Sequence, residues 1–395
     1  METIQMKKQL LAVAVASAFA STAFAANVEV YGAVDTGLVY DNTSFGGAAI
    51  SNKDSNKFSM DTGVLGASKF GLKGTEDLGD GYSVSFQLEN GFDSDTGAMN
   101  QTYTDPKTDK DTNRIFGREA RLSVSTPYGT VSFGRMGTLT SGAGTYDIFQ
   151  AAGDSMDGGY SSYIGTNYWF SRGRYDNMLT FVTPEANGFT GYAQYSFNVD
   201  GQEDAHTRHN DRYAALGLTY KAGALEVALV GDMVMYSNVY ADDGSALAPE
   251  DKYDDAKAIS LGVNYDFGVT KAFFGAQYGK NEVLDLSNFK FIGVTDDEEA
   301  VAVVKGYNLH VGAATPLPCG TLTVSAYYGD YEAVDNNNVT AKKFGVALMH
   351  EYPISKRTTF YTGAGFAQVE AKNDEDSVAA RQKGVNVTLG LHHNF

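Results

Sequence analysis

The stretch GVNVTLGLHHNF, residues 384–395, decides the fold. Val385, Val387, Leu389 and Leu391 alternate with polar or small residues to within four positions of the last residue, Phe395. Strict alternation marks a strand with one apolar face. Chain ends fray unless something ties them down, so a strand kept to the last residue requires a partner there. The first strand supplies one. In VEVYGAVDTGLVY, residues 28–40, Val28, Val30, Val34, Leu38 and Tyr40 share one face, and Glu29, Tyr31 and Asp35 the other.

Between these two strands the same device recurs seven times, each time as two alternating runs around a tight turn. In 68–92 the turn is EDLGDG; Phe70, Leu72, Val84, Phe86 and Leu88 share the apolar face. The others are 119–135 (turn PYG), 174–197 (PEANG), 212–236 (KAG), 258–280 (DFGV), 307–331 (PLPCG) and 343–369 (YPISKR). One opening strand, seven hairpins and one closing strand make sixteen. The longer connections are 41–62, 93–117, 135–166, 198–211, 237–256, 283–304, 332–341 and 371–382, rich in Asp, Asn, Gly and Ser. An even number of ~10-residue alternating segments, with short turns on one side and long loops on the other, is the pattern of a transmembrane β-barrel.

A soluble β-sandwich alternates in the same way, but its strands average ~5–6 residues, about half the length seen here. Aromatic residues sit at strand ends (Tyr40, Phe92, Phe133, Phe189, Tyr220, Phe267, Tyr278, Phe360), as membrane interfaces require. The outward face is nearly free of mid-strand charge, where a Lys or Arg costs ~2–4 kcal/mol. Closure leaves no strand edge and satisfies every backbone group in lipid.

The amino-terminal MKKQLLAVAVASAFASTAFA, from Met6 to Ala25, has a basic start, a short apolar stretch and Ala23-Phe24-Ala25. That is a secretory signal, too short to span as a helix. Residues 1–25 are expected to be cleaved and 26–395 to form the barrel. The mature chain then carries 28 basic against 47 acidic side chains, a net charge of −19. Such acidity excludes a nucleic-acid binder, whose face must be basic. With 43% hydrophobic and 12% aromatic residues, the chain is also not a disordered one. A single cysteine, Cys319, supplies neither a disulfide framework nor metal-ligand spacing.

These segments resemble the general diffusion porins of Gram-negative outer membranes, most closely the β-proteobacterial type. The resemblance is carried, in order, by VEVYGAVDTGL, SKFGLKGTEDLGDGYSVSFQLE, REARLSVSTPYGTVSFGR, RYDNMLTFVTPEANGF and the terminal Phe. It implies a sixteen-stranded antiparallel barrel, a homotrimer, a third loop folded inward to narrow the lumen, and recognition of Phe395 by the barrel-assembly machinery. The connection 135–166 occupies that loop's position and holds Asp147, Asp154 and Asp157. Lumen-facing parity assigns Lys69, Lys73, Arg121, Arg172 and Arg174 to the wall, with Arg135 where the fifth strand enters the loop. Loop acids facing wall bases would set a transverse field, and fixed charges bias ion passage. The loop lacks the Pro-Glu-Phe-Gly-Gly of enterobacterial members, so its acids do not transfer position by position. The acidic exterior attracts cations at low salt, the wall bases favour anions, and the balance leans to cations.

The function expected is a passive, water-filled channel for small hydrophilic solutes and ions, with no cofactor. A solute-selective channel is the alternative and needs an aromatic track, with Tyr31, Tyr192, Tyr213, Tyr327 and Tyr361 as inward candidates. A barrel enzyme needs Ser and His together near the outer rim, yet the mid-strand histidines are only His310, which points inward, and His350, beside a short turn. An adhesive or phage-receptor role for the loops is compatible with a channel. His206 and His209 near Asp211 lie in a polar loop, and His392 and His393 point to opposite faces. In DKDTN, 109–113, the glycine and bidentate-Glu positions of a calcium loop hold Arg114 and Ala120. TDDEEA, 295–300, reads as a solvated loop tip.

Overall fold

In a computed structural model the described residues are 27–46, 53–105, 110–157, 159–165, 169–201, 203, 209–237, 254–285, 301–335, 338–372 and 378–395. The strands are β1 (Asn27–Gly46), β2 (Lys53–Thr62), β3 (Lys69–Gly79), β4 (Tyr82–Gly91), β5 (Thr102–Asp105), β6 (Lys110–Asn113), β7 (Glu119–Thr126), β8 (Gly129–Gly137), β9 (Arg174–Val182) and β10 (Phe189–Ser196). They continue with β11 (Arg212–Ala222), β12 (Leu225–Met235), β13 (Ala256–Asp266), β14 (Lys271–Asp285), β15 (Val301–Leu317), β16 (Gly320–Ala333), β17 (Thr340–Pro353), β18 (Thr358–Lys372) and β19 (Val378–Asn394). Two short helices, α1 (Phe149–Gly153) and α2 (Tyr160–Tyr163), lie between β8 and β9.

Seventeen strands form one closed antiparallel sheet, and β5 and β6 form a separate hairpin in the second long connection. The wall has sixteen positions because β2 and β3 share one. The upper part of β1 pairs with β2 and its lower part with β3. Residues 53–62 were expected in a loop; they instead extend the wall strand upward across a break at 63–68. Some other strands also overrun their expected ends, with β15 starting at Val301 and β19 at Val378.

The closing pair explains the terminal aromatic residue. β1 and β19 pair from Ala33 opposite Asn394 to Gly46 opposite Arg381. Phe395 donates its amide to the Gly32 carbonyl (3.0 Å) and accepts from the Gly32 amide (3.3 Å). A Cβ on Gly32 would collide with the Phe395 ring, so the ring's seat on the first strand requires glycine.

The two faces of the wall separate by chemistry. Val34, Leu38, Tyr40, Phe133, Leu216, Leu229, Ile259, Val311, Leu348 and Leu389 are exposed, while their neighbours Asp35, Ser132, Ala215, Ser260, His310 and Thr388 are buried. An apolar outside around a polar inside is the inverse of a soluble protein and the arrangement for a strand wall in lipid. The 1–25 segment lies outside the described residues, as do His206 and 295–300.

Candidate functional site

The connection from β8 to β9 spans 138–173, here called loop 3. Its neck is closed by the Thr138 amide on the Gly173 carbonyl (3.1 Å). From there it runs along the polar face of the wall. Leu139, Ile148, Phe149 and Trp169 bury with Tyr213, Val230 and Tyr327; Tyr160 and Ile164 bury with Val39, Val64, Met349 and Tyr361. The apolar cores of this molecule therefore lie inside the barrel, between loop and wall.

Inward-facing glycines make that approach physically open. A Cβ on Gly217 would lie 2.7 Å from Ile148 Cδ1, and one on Gly262 2.6 Å from the Phe149 carbonyl. On Gly275 it would meet the Trp169 ring at 2.7 Å, and on Gly363 the Tyr160 ring at 2.9 Å; on Gly312 and Gly365 it would collide with Ser155 and Ile164. Glycine weakens a strand, and here that cost is offset by seating a loop that could not otherwise reach the wall.

The three loop acids differ in what they face. Asp154 is 1% exposed. It accepts from Trp169 Nε1 (3.0 Å), the Tyr327 hydroxyl (2.7 Å) and the Met156 amide (2.9 Å). His310 sits 3.8 Å away, its Nδ1 2.8 Å from the Gly153 carbonyl. Asp147 accepts from the Gln150 amide (3.1 Å); burial, reinforced by Asp157, holds its carboxyl well above the usual range. Asp157 alone is exposed, and the crowding around it, reinforced by Asp154, raises it to about 6. The expected facing of loop acids to wall bases thus does not hold for Asp154, whose carboxyl is turned into the wall on Tyr327.

The bases gather on β3, β7, β8 and β9 and on the segment just before β7, which holds Arg114 and Arg118. Lys69 and Arg118 both pair with Glu89, at 3.4 and 2.7 Å. Lys73 pairs with Glu29 (3.3 Å). Arg121 reaches Gln87 (2.6 Å), Glu119 (3.4 Å) and Thr145 of loop 3 (3.2 Å), and lies over the Tyr146 ring. Arg135 and Arg114 share Asp176, at 2.7 and 2.8 Å. Nε and Nη2 of Arg174 are buried without a hydrogen-bond acceptor. Arg172, expected on a wall strand, instead belongs to loop 3, because β8 and β9 pair up to Gly137 opposite Arg174. It is locked to Asp232 (2.6 Å) and, through both terminal nitrogens, to Glu282.

Arg118, Glu89, Glu119 and the glycine seats were missed from sequence. Glycines recurring at inward positions of β14 and β18 were the available signal. Of the tyrosines weighed as a solute track, Tyr213, Tyr327 and Tyr361 are buried, so they offer no surface to a passing solute. Ser155 Oγ lies 3.3 Å from His310 Nε2, but it donates to the Val324 carbonyl (2.9 Å). Both groups are spent on holding the loop.

Residues 12–374 match the model of a Gram-negative porin family. An outer membrane porin protein of Bordetella pertussis is 32% identical, over 99% of this chain and all of that protein. Among solved structures, the anion-selective porin from Comamonas acidovorans superposes with a TM-score of 0.59 at 23% identity, over 94% of this chain and all of that one. The trimer form of OmpT from Vibrio cholerae does so with 0.55 at 16%, again over 94% of this chain and all of the other. A closed sixteen-position barrel with an apolar exterior and a polar interior, matched along its length by these relatives, makes the chain a member of the Gram-negative porin family, a passive channel of the outer membrane.

Proposed function

We propose that the channel is narrowed by loop 3 and favours small anions. The observation that carries the reading is the unequal exposure of charge on the two sides of the lumen. Asp154 is buried under loop 3 and burial pushes the Asp147 carboxyl well above the usual carboxylate range, whereas Lys69 and Lys73 keep 33% and 48% of their side chains exposed on the opposing wall. Fixed charges that touch water set the bias of a pore, and buried ones do not. The exterior acids act through water, screened over ~8 Å at physiological salt, so they steer ions to the mouth without deciding passage. This reverses the lean to cations drawn from overall charge. The name of the Comamonas porin is consistent with it.

The same reading takes the protein to be a homotrimer, as the Vibrio cholerae trimer form suggests, with Phe395 presented to the barrel-assembly machinery. Its work is positioning and field, with no bond made or broken. Reversal potential in a planar bilayer under a KCl gradient tests it. A sign for chloride over potassium, with openings in threes, is expected; a potassium sign would overturn the anion reading, and single-step openings the trimer.

A further inference from the structure

At the short-turn mouth of the barrel the wall holds a recess of about 440 Å³, lined chiefly by Lys221, Glu226, Asn264, Asp266, Gly268 and Lys271. It lies between the turn that joins β11 to β12 and the turn that joins β13 to β14. The charged side chains are on the lumen face. Thr219, Ala228 and Asn264, in step with them along their strands, are buried, while Leu218, Leu229 and Tyr265, one residue away, are exposed. Lys271 shares that face because it is the direct partner of Asp266. Loop 3 is fixed to the inner edge of the recess, where Asn264 Nδ2 donates to the Ala152 carbonyl of α1 (3.0 Å).

Opposite charges directly across an antiparallel ladder attract and support the pairing. Lys221 and Glu226 behave so, meeting at 2.7 Å. Asp266 and Lys271 stand in the same relation, yet among the described residues they form no ion pair. Asp266 Oδ1 instead accepts from the Gly268 amide of its own turn (2.7 Å), and Lys271 Nζ lies over the Phe273 ring, 5.0 Å from its centroid. Each charge is held in place by a group that does not neutralise it. The recess thus presents one carboxylate and one ammonium, already positioned, in a space of the size that small-molecule sites occupy. Positioning them beforehand reduces the ordering cost of receiving a ligand. A solute of one charge would satisfy only one of the two; a solute with an ammonium at one end and a carboxylate at the other satisfies both.

We propose that this recess binds small zwitterionic solutes, of the class of amino acids and short peptides with free ends, taking the carboxylate on Lys271 and the ammonium on Asp266. The site is separate from Lys69 and Lys73 and from the ion preference they set. Alanylalanine, its N-acetyl derivative and its carboxamide are each titrated against the purified folded protein in detergent, and saturation transfer to the methyl protons is followed by NMR. Saturable transfer to alanylalanine is expected, with each blocked peptide, which lacks one charge, bound about fivefold more weakly. D266N and K271Q should each weaken alanylalanine about fivefold. Each should also erase one distinction: D266N makes the N-acetyl and free peptides equal, and K271Q the carboxamide and free peptides. Equal binding of either blocked peptide to the native protein would overturn the proposal, as would the lack of saturable transfer to alanylalanine. Undiminished binding by a folded D266N/K271Q would do the same. A variant that weakens all three peptides alike would make its residue structural and overturn the proposal too.

Discussion

Asp154→Ala isolates what holds loop 3 to the wall. The substitution deletes the acceptor for Trp169 Nε1, the Tyr327 hydroxyl and the Met156 amide at once. Hydrogen bonds to a charged group contribute ~1.5–3 kcal/mol each, and a donor left buried adds its own penalty. Because the three share one carboxylate they are not additive, and water from the lumen can reach part of the site. A total of about 3–5 kcal/mol follows. It falls on the loop, because no strand ladder uses this side chain. Local opening then costs that much less, so the amides of Asp154, Met156 and Asp157 should exchange on the order of a hundred- to several-thousandfold faster. Amides of β13 and β14 should keep their rates. Bilayer recordings should show added current noise in the open channel. Asp154→Asn keeps one oxygen acceptor and should fall between. Exchange within about threefold of wild type, with quiet openings, would show that the glycine seats and apolar contacts hold the loop without this carboxylate.

Gly365→Val places a side chain where Ile164 now lies; an overpacking cost of about 1–3 kcal/mol should free α2, read as faster exchange at 160–164 with the barrel's heat stability unchanged. K69Q/K73Q removes the water-facing wall bases and should move the reversal potential toward cations by more than any single loop-acid substitution. Asp157 is raised to about 6, so it is charged at pH 7 and mostly protonated at pH 5. Chloride preference should therefore rise as pH falls through 6, and Asp157→Asn should flatten that step. Phe395→Ala keeps the two backbone bonds to Gly32 but removes a half-buried ring, and should lower the temperature at which the folded barrel opens on electrophoresis.

Strand count, direction of each face and closure were legible because a period of two is written into every segment and lipid tolerates few departures from it. Val34, Leu38 and Leu389 are outward and Asp35 is inward as alternation requires. What alternation cannot convey is where a strand stops. β2 consists of KDSNKFSMDT, a composition typical of a loop, and it is a strand because β1 continues beside it. The site was less legible for a related reason. Parity places Lys69, Lys73 and Arg121 on the inner wall, but whether a loop acid meets water depends on the loop's path, and that path is set by missing side chains. Glycines at 217, 262, 275, 312, 363 and 365 shape it. Arg172 shows the same limit: two residues decided whether it stood on the open wall or in a buried lock with Asp232 and Glu282.

The handclasp between Phe395 and Gly32 also constrains the order in which the molecule can be made. Every other wall contact joins strands that are close along the chain, so the sheet can grow hairpin by hairpin with little loop entropy lost at each step. The final contact joins residues at opposite ends, and until it forms the growing sheet keeps two open edges, each a template for mispairing. Asp35 strengthens that last step, since its carboxylate accepts from Tyr361 (2.9 Å), lies 3.0 Å from His392 Nδ1, and already holds the Val64 amide (2.9 Å). The first strand thus carries a prepared receptor for the last one. Closure becomes the slow, high-contact-order event of folding, and a chain shortened by even one residue would lose the ring that marks the seam as complete.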